Sequence, residues 1–205
     1  MEDVLDLYAL PYDARYPTVC FDESPYQLVS ETRLPWPVRP GKPGRYDYVY
    51  KREGTCNLFM FFEPHRGWRH VQVTDHRTKA DFARCMRSLV DTFYPDAQRI
   101  RIVLDNLNTH TPAALYETFE PAEARRILRK LDFHYTPKHG SWLNMVELEF
   151  AALTNQCLDR RLPSTRLVQS EAWLWEADHN RLAVHIDWRF TTDLARQKLH
   201  RLYYS

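Results

Sequence analysis

The sequence predicts an α/β fold: a mixed sheet flanked by helices, with extra helices at its C-terminal end. Two patterns carry this. Short runs rich in β-branched and aromatic residues, separated by turn residues, occupy the first third of the chain, and from Thr78 onward strands alternate with segments of helical period. Composition agrees, because 205 residues with 44% hydrophobic and 14% aromatic content suffice for one well-packed domain.

The first strand is expected over residues 18–21, between Pro17 and the polar stretch Asp22, Glu23, Ser24 and Pro25. Residues 34–44 hold Pro35, Pro37, Pro40 and Pro43, which preclude regular helix or central strand and read as an extended loop. Two strands follow at residues 46–52 and 56–62 around a turn at Gly54, then a third at 68–74, forming an antiparallel meander. Thr78 and Asp81 have capping-box spacing, and Phe82, Cys85, Met86, Leu89, Val90 and Phe93 recur on one helical face. Ile100, Ile102, Val103 and Leu104 make a strand that stops at Asp105. Pro121 opens a helix with Ala124, Ile127, Leu128 and Leu131 on one side, and residues 133–136 form a short strand closed by Pro137. A further helix is expected from near Leu143 to Cys157, and residues 165–204 read as two helices broken near 184–188.

Net charge is only +1, so bulk electrostatics do not advertise a partner. Cys20, Cys56, Cys85 and Cys157 are far apart and form no metal-binding pair, which points to reduced core thiols. The nine histidines include no H-E-x-x-H motif. The sequence shows neither a signal peptide nor a membrane span, from which a cytoplasmic protein is expected.

Three acidic residues are the candidates for chemistry; each alone reads as a turn, cap or surface ion-pair residue, and the case rests on their combination. Asp22 closes the first strand, Asp105 closes the apolar fourth, and Glu147 sits beside the apolar face of the helix after Leu143. Glu149 lies about 200° further round that helix and should face elsewhere. Glu23, one residue after Asp22, points to the opposite strand face if the strand continues that far, and is not counted among the ligands. Carboxylates at adjacent strand ends facing one helix suit magnesium, which prefers oxygen ligands and keeps room for phosphate. Two such ions about 4 Å apart can activate an attacking oxygen and stabilise a leaving one in phosphodiester displacement.

The stretches Asp105-Asn106-Leu107-Asn108-Thr109-His110 and Thr136-Pro137-Lys138-His139-Gly140-Ser141-Trp142-Leu143-Asn144-Met145-Val146-Glu147 resemble DDE transposases of the insertion sequence 630 family, bacterial relatives of the mariner group. Phe21-Asp22-Glu23-Ser24 resembles the segment with that family's first aspartate, and the 42 residues from Asp105 to Glu147 are compatible with its spacing. The resemblance implies a ribonuclease-H-like core in which Asp22, Asp105 and Glu147 hold two Mg²⁺ or Mn²⁺ ions. It also implies DNA hydrolysis at a transposon end followed by strand transfer into target DNA. Asn106, His110 and Asn144 match motif positions and are expected to orient a ligating carboxylate or contact phosphate.

Met145 stands where relatives often have proline. The resemblance implies an N-terminal helix-turn-helix region for which the residues before Asp22 leave no room, so a single catalytic domain without it is expected. The partner implied is double-stranded DNA, with self-association on it. Arg125, Arg126, Lys130 and Lys138, then Arg160 and Arg161, are the basic residues expected to meet phosphates. Trp142, Trp173, Trp175 and Trp188 are read as core packing before base stacking. Two alternatives remain: a metal-dependent nuclease without strand transfer, and a non-catalytic DNA-binding or assembly remnant.

Overall fold

A computed structural model describes residues 1–33, 36–45 and 47–200. Its elements are α1 (Glu2–Ala9), β1 (Thr18–Glu31), β2 (Tyr50–Glu63), β3 (Trp68–Thr74), α2 (Lys79–Ser88), β4 (Ile100–Leu104), α3 (Pro112–Thr118), α4 (Pro121–Leu128), β5 (Leu131–Tyr135), α5 (Val146–Leu153), α6 (Thr165–Arg181) and α7 (Thr192–Lys198). Leu34, Pro35, Tyr46 and the last five residues lie outside the described residues, and with them parts of the expected 34–44 loop, the 46–52 strand and the final helix.

The five strands form one sheet in the order β3-β2-β1-β4-β5. The first three in sequence make an antiparallel meander, though of β1, β2 and β3, because the two strands expected at 46–52 and 56–62 are one continuous strand, β2; β4 and β5 add to β1 in parallel. Alternation along each strand divides the apolar side chains between two cores. Cys20, Leu58, Met60, Phe62 and Val103 face α1, α5, α6 and α7, whereas Val19, Phe21, Phe59, Phe61 and Ile102 face α2, α3 and α4. The mixed sheet flanked by helices is therefore as expected.

Several local expectations change. β1 does not end at Asp22 but runs 14 residues, through Pro25. Its parallel pairing with β4 covers only Thr18 to Cys20, so beyond that point one side of β1 is an edge, where a missing N–H costs no ladder bond. Gly54 is not a hairpin turn. It sits within β2 at φ 117° where the register slips opposite Leu28, so only a residue free of Cβ strain fits this bulge. The connection between β1 and β2 carries two isolated bridges, Trp36 to Arg45 and Arg39 to Lys42. α1 and α3, 8 and 7 residues long, are helices that no expected element covers. The helix from Leu143 divides into a 3₁₀ turn (Ser141–Leu143), α5 and a π-helical turn (Thr154–Leu158).

The capping box is formed as expected: the Thr78 hydroxyl accepts from Asp81 N–H and the Asp81 carboxylate accepts from Thr78 N–H. The outer edge of β3 is capped by side chains of α6. Asn180 accepts from Arg69 N–H and donates to its carbonyl, both at 2.8 Å, and Glu176 accepts from Val71 N–H at 2.9 Å. Cys20, Cys56 and Cys85 are buried free thiols, and Cys157 is half-buried and free. Among the described residues no helix is long and apolar enough to cross a membrane.

Candidate active site

Register brings the two aspartates together. Cys20 pairs with Val103 across the parallel β1–β4 ladder, and both face the core beneath α5. Two residues further along each chain come Asp22 and Asp105, on that same face, at neighbouring strands that lie about 4.8 Å apart. Asp22 is 8% exposed and accepts from Glu23 N–H at 2.8 Å. Asp105, half-buried, lies just past the end of β4.

The third carboxylate arrives on α5 through a compact turn. Gly140 N–H bonds back to Pro137 O at 2.8 Å, and a Cβ on Gly140 would meet Pro137 Cγ at 2.6 Å, so the turn requires glycine there. His139 takes φ 63° beside it, an uncommon conformation for a residue with a side chain. Asn144 then locks the start of the helix. It is fully buried, its side-chain amide donates to Phe21 O at 2.9 Å and approaches Asp22 Oδ2 at 3.5 Å, its side-chain oxygen accepts from Val146 N–H at 3.4 Å, and its backbone carbonyl accepts from Glu147 N–H. One side chain thus ties the strand bearing Asp22 to the turn that starts Glu147's helix.

Glu147 differs from expectation in being exposed, whereas Glu149 takes the buried place on α5. The Glu149 carboxylate pairs with the fully buried Arg69 at 2.7 Å. Arg69 also donates to Val184 O, and its guanidinium lies over the rings of Phe62 and Trp175 at 5.3 and 5.6 Å. Nothing in the spacing of the sequence announced this pair, since its members are 80 residues apart.

Burial pushes Asp22 up to about 7, and the negative charges of Asp105, Glu23 and Glu147 push in the same direction, against the hydrogen bond from Glu23 N–H. The carboxylates therefore sense one another across the site. An all-carboxylate donor set strained by its own charge fits a hard divalent cation. Among the described residues, no three acidic, histidine or cysteine side chains close into a ready-made metal cage. Because the folded value of Asp22 lies above the unfolded one, its charge destabilises the metal-free fold most above pH 7, and the penalty fades as pH falls from 7 towards 4. In chelator, Asp22→Asn should therefore raise the melting temperature at pH 8 by about 5–10 °C, a relief on the order of 2–4 kcal/mol, and by little at pH 4. Thermal melts across pH check this; a lower melting temperature at pH 8 would contradict it.

His110 is fully buried and sits between two acids, with Nδ1 2.6 Å from Asp105 Oδ1 and Nε2 2.5 Å from Glu23 Oε2. Burial opposes its charge, but the contacts to Asp105 and Glu23 prevail and raise it to about 9. Asn106 is exposed beside Asp105.

The expected basic residues are not brought together. Lys138 is exposed on the turn after β5, at the strand ends where Asp105 lies. Arg125 is exposed on α4, Arg126 is engaged by Asp91 and Glu123, and Lys130 donates to Pro95 O. The Lys130 carbonyl accepts from Ile100 N–H at the start of β4, so this group lies at the opposite end of the strand, roughly 16 Å from Asp105. Arg160 is paired with Glu171, and Arg161 with Glu31, beside the far half of β1. Trp175 is buried, whereas Trp142 and Trp173 are 44% and 63% exposed.

Residues 17–168 match the family described as DDE superfamily endonuclease. Among solved structures, the chain is similar to the Mos1 mariner paired end complex with Mn, at 16% identity and TM-score 0.58, covering 88% of this chain and 54% of that one. It is also similar to the Mos1 transposase paired-end complex with left transposon end, at 15% identity and TM-score 0.57, covering 89% and 56% respectively. The chain thus spans little more than half the length of these relatives, and at such identity the likeness establishes the ribonuclease-H-like fold. No curated protein matches in sequence.

Proposed function

The chain belongs to the DDE superfamily endonucleases, and from that premise we propose that it is the catalytic domain of a DNA transposase of the insertion sequence 630 family. The observation that carries the reading is the placing of Asp22 and Asp105 at the same offset beyond a parallel ladder, with Glu147 close enough to act on Asp22 electrostatically. Asp22, Asp105 and Glu147 would hold two Mg²⁺ or Mn²⁺ ions, which when bound supply activation of the attacking oxygen and stabilisation of the leaving oxygen.

The chain's own residues do the positioning. Asn144 ties the Asp22 strand to the α5 turn, and His110 fixes Asp105 through Nδ1. Lys138, and Asn106 beside Asp105, stand where a phosphate backbone approaching the site would pass. The substrate is double-stranded DNA. Water cleaves a phosphodiester at the element's end, and the freed 3′-hydroxyl then attacks target DNA by transesterification, without a covalent protein intermediate. Self-association on DNA belongs to the same reading.

Nicking and joining of a labelled duplex in Mg²⁺ or Mn²⁺ tests it, with Asp105→Asn alongside. Metal-dependent nicks and joined strands that vanish in the variant are expected. Nicks without joined strands would favour a plain nuclease. DNA binding indifferent to metal and to Asp105, with no product, would favour a non-catalytic module.

A further inference from the structure

Glu23 follows Asp22, and the alternation of β1 turns it to the other face of the sheet, under α2. Its side chain is only 3% exposed. An acid so enclosed is costly unless it is paired. Its Oε2 lies 2.5 Å from His110 Nε2, and among the described residues neither atom has a hydrogen-bond partner; the contact is a close ion pair of imperfect alignment.

The histidine itself has little freedom. Its ring is fully buried, with Phe21 and Phe82 at centroid distances of 5.5 and 5.0 Å, and its backbone carbonyl accepts from the Tyr135 hydroxyl. Its second nitrogen, Nδ1, meets Asp105 Oδ1 at 2.6 Å. One imidazole therefore reaches round the end of β4, from a carboxylate on one face of the sheet to a carboxylate on the other.

We propose that Glu23 is a positioning residue for the carboxylate site: it holds the far end of the His110 ring, so that Nδ1 fixes the orientation of Asp105 and leaves Asp105 Oδ2 for the site. This rests on the reading that Asp22, Asp105 and Glu147 form that site. The physical reason is one of restraint. The aromatic packing confines the ring, and a carboxylate facing each of its nitrogens settles how Nδ1 is presented to Asp105. An acid that served only to fill the α2 face would affect stability and leave the cation affinity of the opposite face alone.

The test compares Mn²⁺ affinity and single-turnover nicking in the wild-type protein, Glu23→Ala, Glu23→Leu, Glu23→Gln and Asp105→Asn. Melting curves identify the folded variants, and Glu23→Leu fills the pocket where Glu23→Ala leaves a cavity. The Ala and Leu variants should bind Mn²⁺ about 10-fold more weakly and nick roughly 10–100-fold more slowly, with DNA affinity unchanged. Glu23→Gln, which keeps an oxygen facing Nε2 but not the charge, should recover part of both. A folded Ala or Leu variant with wild-type Mn²⁺ affinity and rate overturns the proposal, as does a folded Gln variant as impaired as Leu. Wild-type Mn²⁺ binding in Asp105→Asn would instead sink the carboxylate site itself. Loss there with none in the Glu23 variants sinks only the positioning role.

Discussion

Arg69→Met should cost the fold about 3–5 kcal/mol, a drop of roughly 10 °C or more in melting temperature, because it strands the Glu149 carboxylate in the core. Glu149 is 5% exposed and Arg69 fully buried, so the carboxylate would be left facing the core without its partner. Burial already lifts the Glu149 carboxyl above its ordinary range despite the guanidinium beside it, and removing that guanidinium leaves protonation as the carboxyl's main escape. The loss reaches further than one ion pair. Arg69 also donates to Val184 O, and its backbone is gripped by Asn180, so β3, α5, α6 and the segment after α6 meet at this residue. The double substitution Arg69→Met with Glu149→Leu should recover much of the stability, since apolar groups of similar volume often replace a buried pair at little cost. Equilibrium urea unfolding of the two singles and the double gives the coupling directly. An Arg69→Met protein within 1 kcal/mol of wild type would show that the pair is solvated in solution.

Glu147→Gln should abolish nicking, by at least ~10³-fold, while leaving the melting temperature within about 2 °C of wild type. Glu147 is exposed, so its carboxylate supports no packing, and the contact that seats its residue is the backbone bond from its N–H to Asn144 O. Its charge acts on Asp22 instead. The comparison with Glu149, two residues along α5, is sharp: one glutamate is expected to matter for chemistry and hardly for stability, the other for stability first. Quantitative cleavage assays beside thermal melts separate them. Retained nicking in Glu147→Gln would remove it from the site.

The parts legible in the sequence were those with local chemistry. Thr78 and Asp81 specify their helix start within four residues, and Asp105 ends an apolar run that can only be a strand. Pro25 and Gly54 misled because each was read as a breaker, when tertiary context makes one an edge position and the other a bulge. Asp22 thereby moved from the end of a strand to its interior, without leaving the face on which it was expected. The buried role of Glu149 lay beyond local pattern, since Arg69 reaches it from a strand 80 residues earlier. Glu23 was correctly placed on the opposite face, but its use there depends on His110 reaching round the end of β4, which periodicity does not encode.

The cap on β3 has a consequence for how copies of this chain can meet. An outer strand normally offers its free N–H and C=O groups as a template on which another strand can add, the route to edge-to-edge polymers and fibrils. Here Glu176 and Asn180 occupy the N–H of Val71 and both backbone groups of Arg69, one helical turn apart on α6. That stretch of the edge is thus closed to an added strand, which directs a paired assembly to side-chain surfaces or to the opposite margin.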